Sequence, residues 1–138
     1  MVLAEIAESA EMNLDDLTFR VRGCIFDVFK ELGPGLLESV YEAALLFELL
    51  QSGLNVQAQV PVPVLYKSIQ LELGFRLDLL VENNIIIEVK SVEVLHDVHK
   101  KQLLTYLKLT QKKIGFLVNF NSAHLKDKES IIRIVNNY

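Results

Sequence analysis

Two carboxylates and an ammonium group, Asp78, Glu88 and Lys90, fall within residues 75–90, and such a set suits a hard divalent cation with an anion beside it. Whether they meet depends on the backbone. Apolar runs at 75–81 and 85–89 flank Glu82-Asn83-Asn84, and Asn tolerates the left-handed backbone that a hairpin loop needs. The stretch therefore reads as two antiparallel strands. With all of Glu82-Asn83-Asn84 in the loop, Val81 opposes Ile85, Leu79 opposes Ile87, Asp78 opposes Glu88 and Arg76 opposes Lys90. Directly opposed residues share a face, so Phe75, Leu77, Leu79, Val81, Ile85, Ile87 and Val89 line one apolar side and Arg76, Asp78, Glu88 and Lys90 the other. A loop shorter by one residue would mix carboxylates into the apolar side, which burial opposes.

Carboxylates opposed at about 4 Å repel by about 4 kcal/mol at an effective dielectric of ~20, so something must offset them. Mg2+ takes one or two protein carboxylates and fills its other positions with water and phosphate oxygens. The backbone carbonyl of Val89 is a further candidate ligand, and Lys90 would then aim its ammonium at the anion the metal holds. The alternative is a metal-free ion network in which Arg76 and Lys90 neutralise Asp78 and Glu88. The hairpin alone leaves both open.

Other elements must hold this hairpin. Asn13 predicts an N-cap with Asp15 and Asp16 in the first turn. The spacing of Leu14, Leu17, Val21, Ile25, Val28, Phe29 and Leu32 predicts a helix to about Leu32, ended by Gly33-Pro34-Gly35. A second helix runs from near Leu36 to about Gln51. On it Glu38, Tyr41, Glu42 and Leu45 are surface neighbours, so Glu38 and Tyr41 can act together; the plainer reading makes them a solvated first-turn carboxylate and a core-edge aromatic. Residues 55–74 are extended and valine-rich, with Pro61 and Pro63 marking an edge strand and Lys67-Ser68 a turn. The expectation is a meander of strands at 60–66, 69–81 and 85–90. A third helix from about Asp97 to about Leu109 carries His99, Gln102 and Tyr106 on one stripe and can bring it past the Asp78–Glu88 face, while Leu103, Leu104 and Leu107 supply apolar contact. Here the plainer alternatives are a capping His99 and a core-edge Tyr106. Residues 114–120 read as a buried strand parallel to the Glu88 strand, and 131–135 as a final strand.

The chain of 138 residues fits one domain, at 13–138, preceded by a flexible segment at 1–12. Its net charge of −4 opposes electrostatic coating of nucleic acid but leaves room for a local basic patch. Lys100, Lys101, Lys108, Lys112 and Lys113 around the third helix are either that patch, a set of phosphate contacts, or a solvated face. Cys24 is the only cysteine, which excludes an internal disulfide and a Cys-based zinc cluster and suits a reducing cytosol. It reads as a small buried hydrophobe. His96 and His124 have no ligand-spaced partner. The acidic start lacks a basic n-region and no stretch is long enough to span a bilayer, so the expectation is a cytoplasmic protein without signal peptide or membrane. A hydrophobic content of 51% is high for a small domain and predicts that part of the surface packs on another chain. The apolar positions of the first two helices make them the candidates for a twofold homodimer.

Gly35-x-x-Glu38-x-x-Tyr41 resembles the signature of the GxxExxY proteins, a branch of the PD-(D/E)XK nuclease superfamily. The resemblance covers about residues 14–137, and the remaining parts come in order: Asp78, then Glu88-Val89-Lys90, then Gln102-x-x-x-Tyr106. Leu77 stands where the superfamily name has Pro. The resemblance implies an α/β fold (α+β by some schemes) with a restriction-endonuclease-like core, a mixed sheet of about five strands flanked by three helices. It further implies Asp78 and Glu88 as metal ligands and Lys90 orienting or activating the attacking water. Gln102 and Tyr106 would lie near the metal or the nucleic acid, and Glu38 would be an additional acidic residue of the site. The activity implied is a Mg2+- or Mn2+-dependent nuclease acting on DNA or other nucleic acid. The alternative is a nuclease-fold binding or regulatory module without catalysis.

Overall fold

The computed structural model of the chain describes residues 12–71 and 74–137. The expected flexible segment at 1–12 lies, apart from Met12, outside the described residues. Asn13 opens the first helix, α1 (Leu14–Leu32), by accepting the Asp15 N–H on its side chain at 2.7 Å. The helix stops at Gly33, whose φ of 66° is in the left-handed region that glycine enters without a Cβ clash. The second helix, α2 (Glu38–Gln51), starts two residues later than its pattern predicts. The reason is Tyr41: its hydroxyl accepts the Leu36 N–H at 3.1 Å and donates to the Gly33 carbonyl at 2.5 Å, tying up the loop before the helix.

The main sheet has five strands in the order β1-β4-β5-β6-β7: β1 (Val56–Pro61), β4 (Arg76–Val81), β5 (Ile85–Lys90), β6 (Ile114–Asn119) and β7 (Ile131–Val135). Between β1 and β4 the chain leaves the sheet to form a separate hairpin of β2 (Val64–Tyr66) and β3 (Ile69–Leu71), turned at Lys67 and Ser68 with φ of 49° and 69°. The expected strands at 60–66 and 69–81 are therefore each broken in two, and the partner of β4 is β1. Pro63, which has no N–H for a ladder, falls in the first break. Beyond β5 the chain crosses over through α3 (Asp97–Thr110) and returns as β6 parallel to β5, with Glu88 beside Leu117 and Lys90 beside Asn119. These three helices and the mixed five-stranded sheet have the restriction-endonuclease-like arrangement expected.

Both faces of the sheet are covered. On one, α1 and α2 bury Leu17, Val21, Ile25, Tyr41 and Leu45 against Leu79, Val81, Ile85 and Ile87. On the other, Leu103, Tyr106 and Leu107 of α3 pack with Leu80, Ile86 and Leu117. Helix and sheet approach closely there because β6 carries Gly115; a Cβ at that position would lie 2.9 Å from Leu103 Cδ1.

Alternation along β4 does not hold throughout. Leu79 and Val81 belong to the α1–α2 side, yet Leu77 belongs to the α3 side, and Phe75 leans on the Tyr106 ring with 6.3 Å between centroids. The expectation that Phe75, Leu77 and Leu79 share one face is thus corrected: the strand reverses its faces at Asp78. β1 reverses with it, Val56 packing on the first side and Val60 on the second. Between them Gln59 has a φ of 53° and makes no ladder pair.

Candidate metal and phosphate site

The β4–β5 loop holds Glu82-Asn83-Asn84 as the register argument requires, with Val81 paired to Ile85 and Leu79 to Ile87. Glu82 and Asn83 take the left-handed backbone, at φ of 51° and 55°. Past Leu79 and Ile87 the ladder ends, so Asp78/Glu88 and Arg76/Lys90 are not ladder pairs. Side chains bridge the gap instead. Asp78 accepts the Val89 N–H on Oδ2 at 2.8 Å, and the Asp78 N–H reaches Glu88 Oε1 at 3.4 Å. On its other side Asp78 faces the unpaired Gln59, whose Nε2 is 3.5 Å from Asp78 Oδ1 and 2.6 Å from Glu42 Oε1. Asp78 thus sits where its strand leaves the β5 ladder and skips one pair with β1, and Val89 meets it through its N–H.

Glu88 is only 4% exposed. Burial first, and then the neighbouring Asp78 carboxylate, push its carboxyl up to about 9, against a smaller opposing pull from Lys90. The metal-free ion network is not what the structure contains. No ion pair joins Arg76 or Lys90 to Asp78 or Glu88 among the described residues; Arg76 donates to the Gln59 carbonyl at 3.3 Å. A buried carboxyl that keeps its proton beside a second carboxylate, with no cationic side chain in contact among the described residues, is a donor pair that a divalent cation can complete by displacing that proton. Among the described residues no three His, Cys, Asp or Glu side chains gather as a metal cage. The donor set fits a hard cation such as Mg2+, which keeps most of its shell for water and phosphate, and does not fit a His- or Cys-rich zinc centre.

Tyr106 comes to this pair from α3. It is 6% exposed, and its hydroxyl is pushed up by burial and then by Glu88 and Asp78. Gln102, one turn earlier on the same helix, is exposed. His99 takes the capping role: its Nδ1 accepts the His96 N–H at 3.0 Å in a reciprocal capping box. Its imidazole is pushed down by burial and then by the Lys90 charge. Glu38 is an exposed first-turn carboxylate of α2, and Tyr41 is fully buried, stacked on Phe120 with 4.6 Å between ring centroids. Glu38 and Tyr41 therefore do not act as a pair. Their spacing serves the loop that Tyr41 clamps.

Sequence reasoning named Glu42 only as a surface neighbour of Glu38 and Tyr41, and did not name Gln59. Glu42 is pushed up by burial and, despite the Gln59 hydrogen bond, by the charges of Asp78 and Glu38, so it belongs to the same acidic edge. The signal for it was present one helical turn after Glu38; nothing marked Gln59, whose part depends on a backbone reversal. The lysines divide along α3. Lys100 and Lys101 stand in its first turns, whereas Lys112 donates to Asn83 at the far end of the hairpin, at 3.2 Å. A cavity of about 460 Å³ is lined by Pro61, Val62, Gln70, Leu71, Phe75 and Arg76, between β1, the β2–β3 hairpin and the start of β4. Cys24 is buried and its thiol is pushed up by that burial, as a structural cysteine should be.

A family model described as the PD-(D/E)XK nuclease superfamily matches residues 15–134. Comparison with curated proteins gave no match, and neither did comparison with solved structures.

Proposed function

The chain belongs to the PD-(D/E)XK nuclease superfamily, and from that premise we propose that it hydrolyses phosphodiester bonds of nucleic acid, DNA in the first place. Asp78 and Glu88 are the residues to hold the divalent cation, Mg2+ or Mn2+. Such an ion supplies polarisation of the phosphate and a more acidic water. The observation that carries the reading is the buried Glu88 carboxyl set against Asp78 with, among the described residues, no cationic side chain in contact.

Lys90 stabilises negative charge developing on the phosphate or holds the attacking water. Tyr106 walls the carboxylate pair on the α3 side, and Gln102, exposed one turn away, meets the nucleic acid. Glu38 and Glu42 reach the site through water, Glu42 also through Gln59. Because the net charge of −4 repels a polyanion, phosphate contacts fall to local cations, for which Lys100, 3.7 Å from Asp97, and Lys101 in the first turns of α3 are the candidates. No helix among the described residues is long and apolar enough to cross a membrane.

Titration calorimetry with Mn2+ and cleavage of plasmid and single-stranded DNA test this together. Asp78→Asn is expected to lose both binding and cleavage while remaining folded. Lys90→Ala should keep Mn2+ binding and lose cleavage by about 10²–10³-fold. Wild-type protein that binds no Mn2+ would overturn the proposal. Protein that binds it yet cleaves neither substrate would be a nuclease-fold binding module.

A further inference from the structure

The side of α1 that faces away from the sheet is patterned. Leu17, Val21, Cys24, Ile25 and Val28 form its buried stripe. At 3.6 residues per turn the opposite side carries Asp15, Phe19, Gly23, Phe26 and Lys30 in a line. Phe19 is 78% exposed and Phe26 36% exposed. The Arg22 guanidinium, paired with Asp127, lies 5.1 Å over the Phe26 ring and fixes it in place. Gly23 stands between the two rings with nothing within 4 Å of the position a Cβ would take. Among the described residues no contact accounts for a helix-weakening glycine at that point.

We propose that this face is an isologous homodimer interface, two α1 helices packed antiparallel about a twofold axis between Arg22 and Gly23. In that register Phe19 meets the partner's Phe26, Gly23 lets the partner's backbone come close, and Asp15 meets the partner's Lys30. The pattern reads the same in both directions, as a twofold contact requires. Parallel packing would oppose Asp15 to the partner's Asp15 and Lys30 to the partner's Lys30, so charge selects the antiparallel arrangement. The neighbouring α2, which covers the same sheet face, also turns Val40, Phe47 and Leu50 outward at 41%, 59% and 51% exposure. With Asp15, Asp16, Asp27 and Glu31 against Arg20, Arg22 and Lys30, α1 has no excess of positive charge to draw an anionic lipid surface. The interface is separate from the Asp78–Glu88 pair and does not depend on the proposed reaction.

Sedimentation velocity of the whole chain across the micromolar range tests it, with far-UV circular dichroism as the check on folding. The wild type should dimerise, and Phe19→Glu or Phe26→Glu should each weaken the dimer by about tenfold or more. Asp15→Lys and Lys30→Asp should each weaken it, and the two together should restore it, which only the antiparallel register allows. Gly23→Ala should melt no lower than wild type yet dimerise less. A monomer at the highest concentration, a dimer indifferent to Phe19→Glu, or a double charge swap no better than the singles would each overturn the proposal.

Discussion

The two ends of the β4–β5 hairpin are built on opposite terms. At the loop end, Leu79 to Val81 and Ile85 to Ile87 are zipped by backbone hydrogen bonds and buried on both faces. At the open end the ladder is gone, and carboxylates take the amides that backbone carbonyls would otherwise satisfy. The closed end supplies stability and the open end holds charge, so the same strands can position a site without the site having to stabilise them.

That division can be broken from either side. The largest effect is expected at the closed end: Ile87→Ala empties a fully buried position and should cost about 2–5 kcal/mol in urea unfolding. If the ends are independent, the variant still binds Mn2+ wherever it remains folded. At the open end, Glu88→Gln should abolish Mn2+ binding and change how stability depends on pH. The folded chain keeps a proton on Glu88 that the unfolded chain has released between pH 4.5 and about 9. Metal-free wild type is therefore most stabilised below that window and loses stability as pH rises through it. The Gln variant should lack this fall and be the more stable protein at the alkaline end; urea melts across the window with chelator present decide it. The smallest effect belongs to the loop. Asn83→Val puts a β-branched residue at φ 55° and should cost about 1 kcal/mol without touching metal affinity.

Much of this was legible in the chain because periodicity reports burial. The α1 stripe, the crossover from β5 through α3 to β6 and the register of the hairpin loop all follow from which residues must be inside. What could not be read is where the backbone departs from its period. The left-handed Gln59 turns β1 over, β4 turns with it at Asp78, and no side-chain pattern announces either event. The site was named from residue types, Asp78, Glu88 and Lys90, but its opening between separated strands is a backbone property. Tyr41 shows the complementary limit. A motif residue with an obvious hydroxyl is spent on Gly33 and Leu36, because a buried polar group takes the nearest partners it has.

The irregularity in β1 also bears on how the sheet avoids other sheets. β1 is an edge strand, and a free edge invites another chain to add a strand and begin an aggregate. Here the row of backbone groups is interrupted at Gln59 and closed by Pro61, which has no N–H to offer. The opposite edge, β7, turns Arg133 outward in the middle of its run, a charge an incoming strand would have to desolvate. A protein so rich in aliphatic strands thus keeps both of its edges poor templates for polymerisation, and the conformation that loosens the chain beside Asp78 is also one that keeps it from being extended by its neighbours.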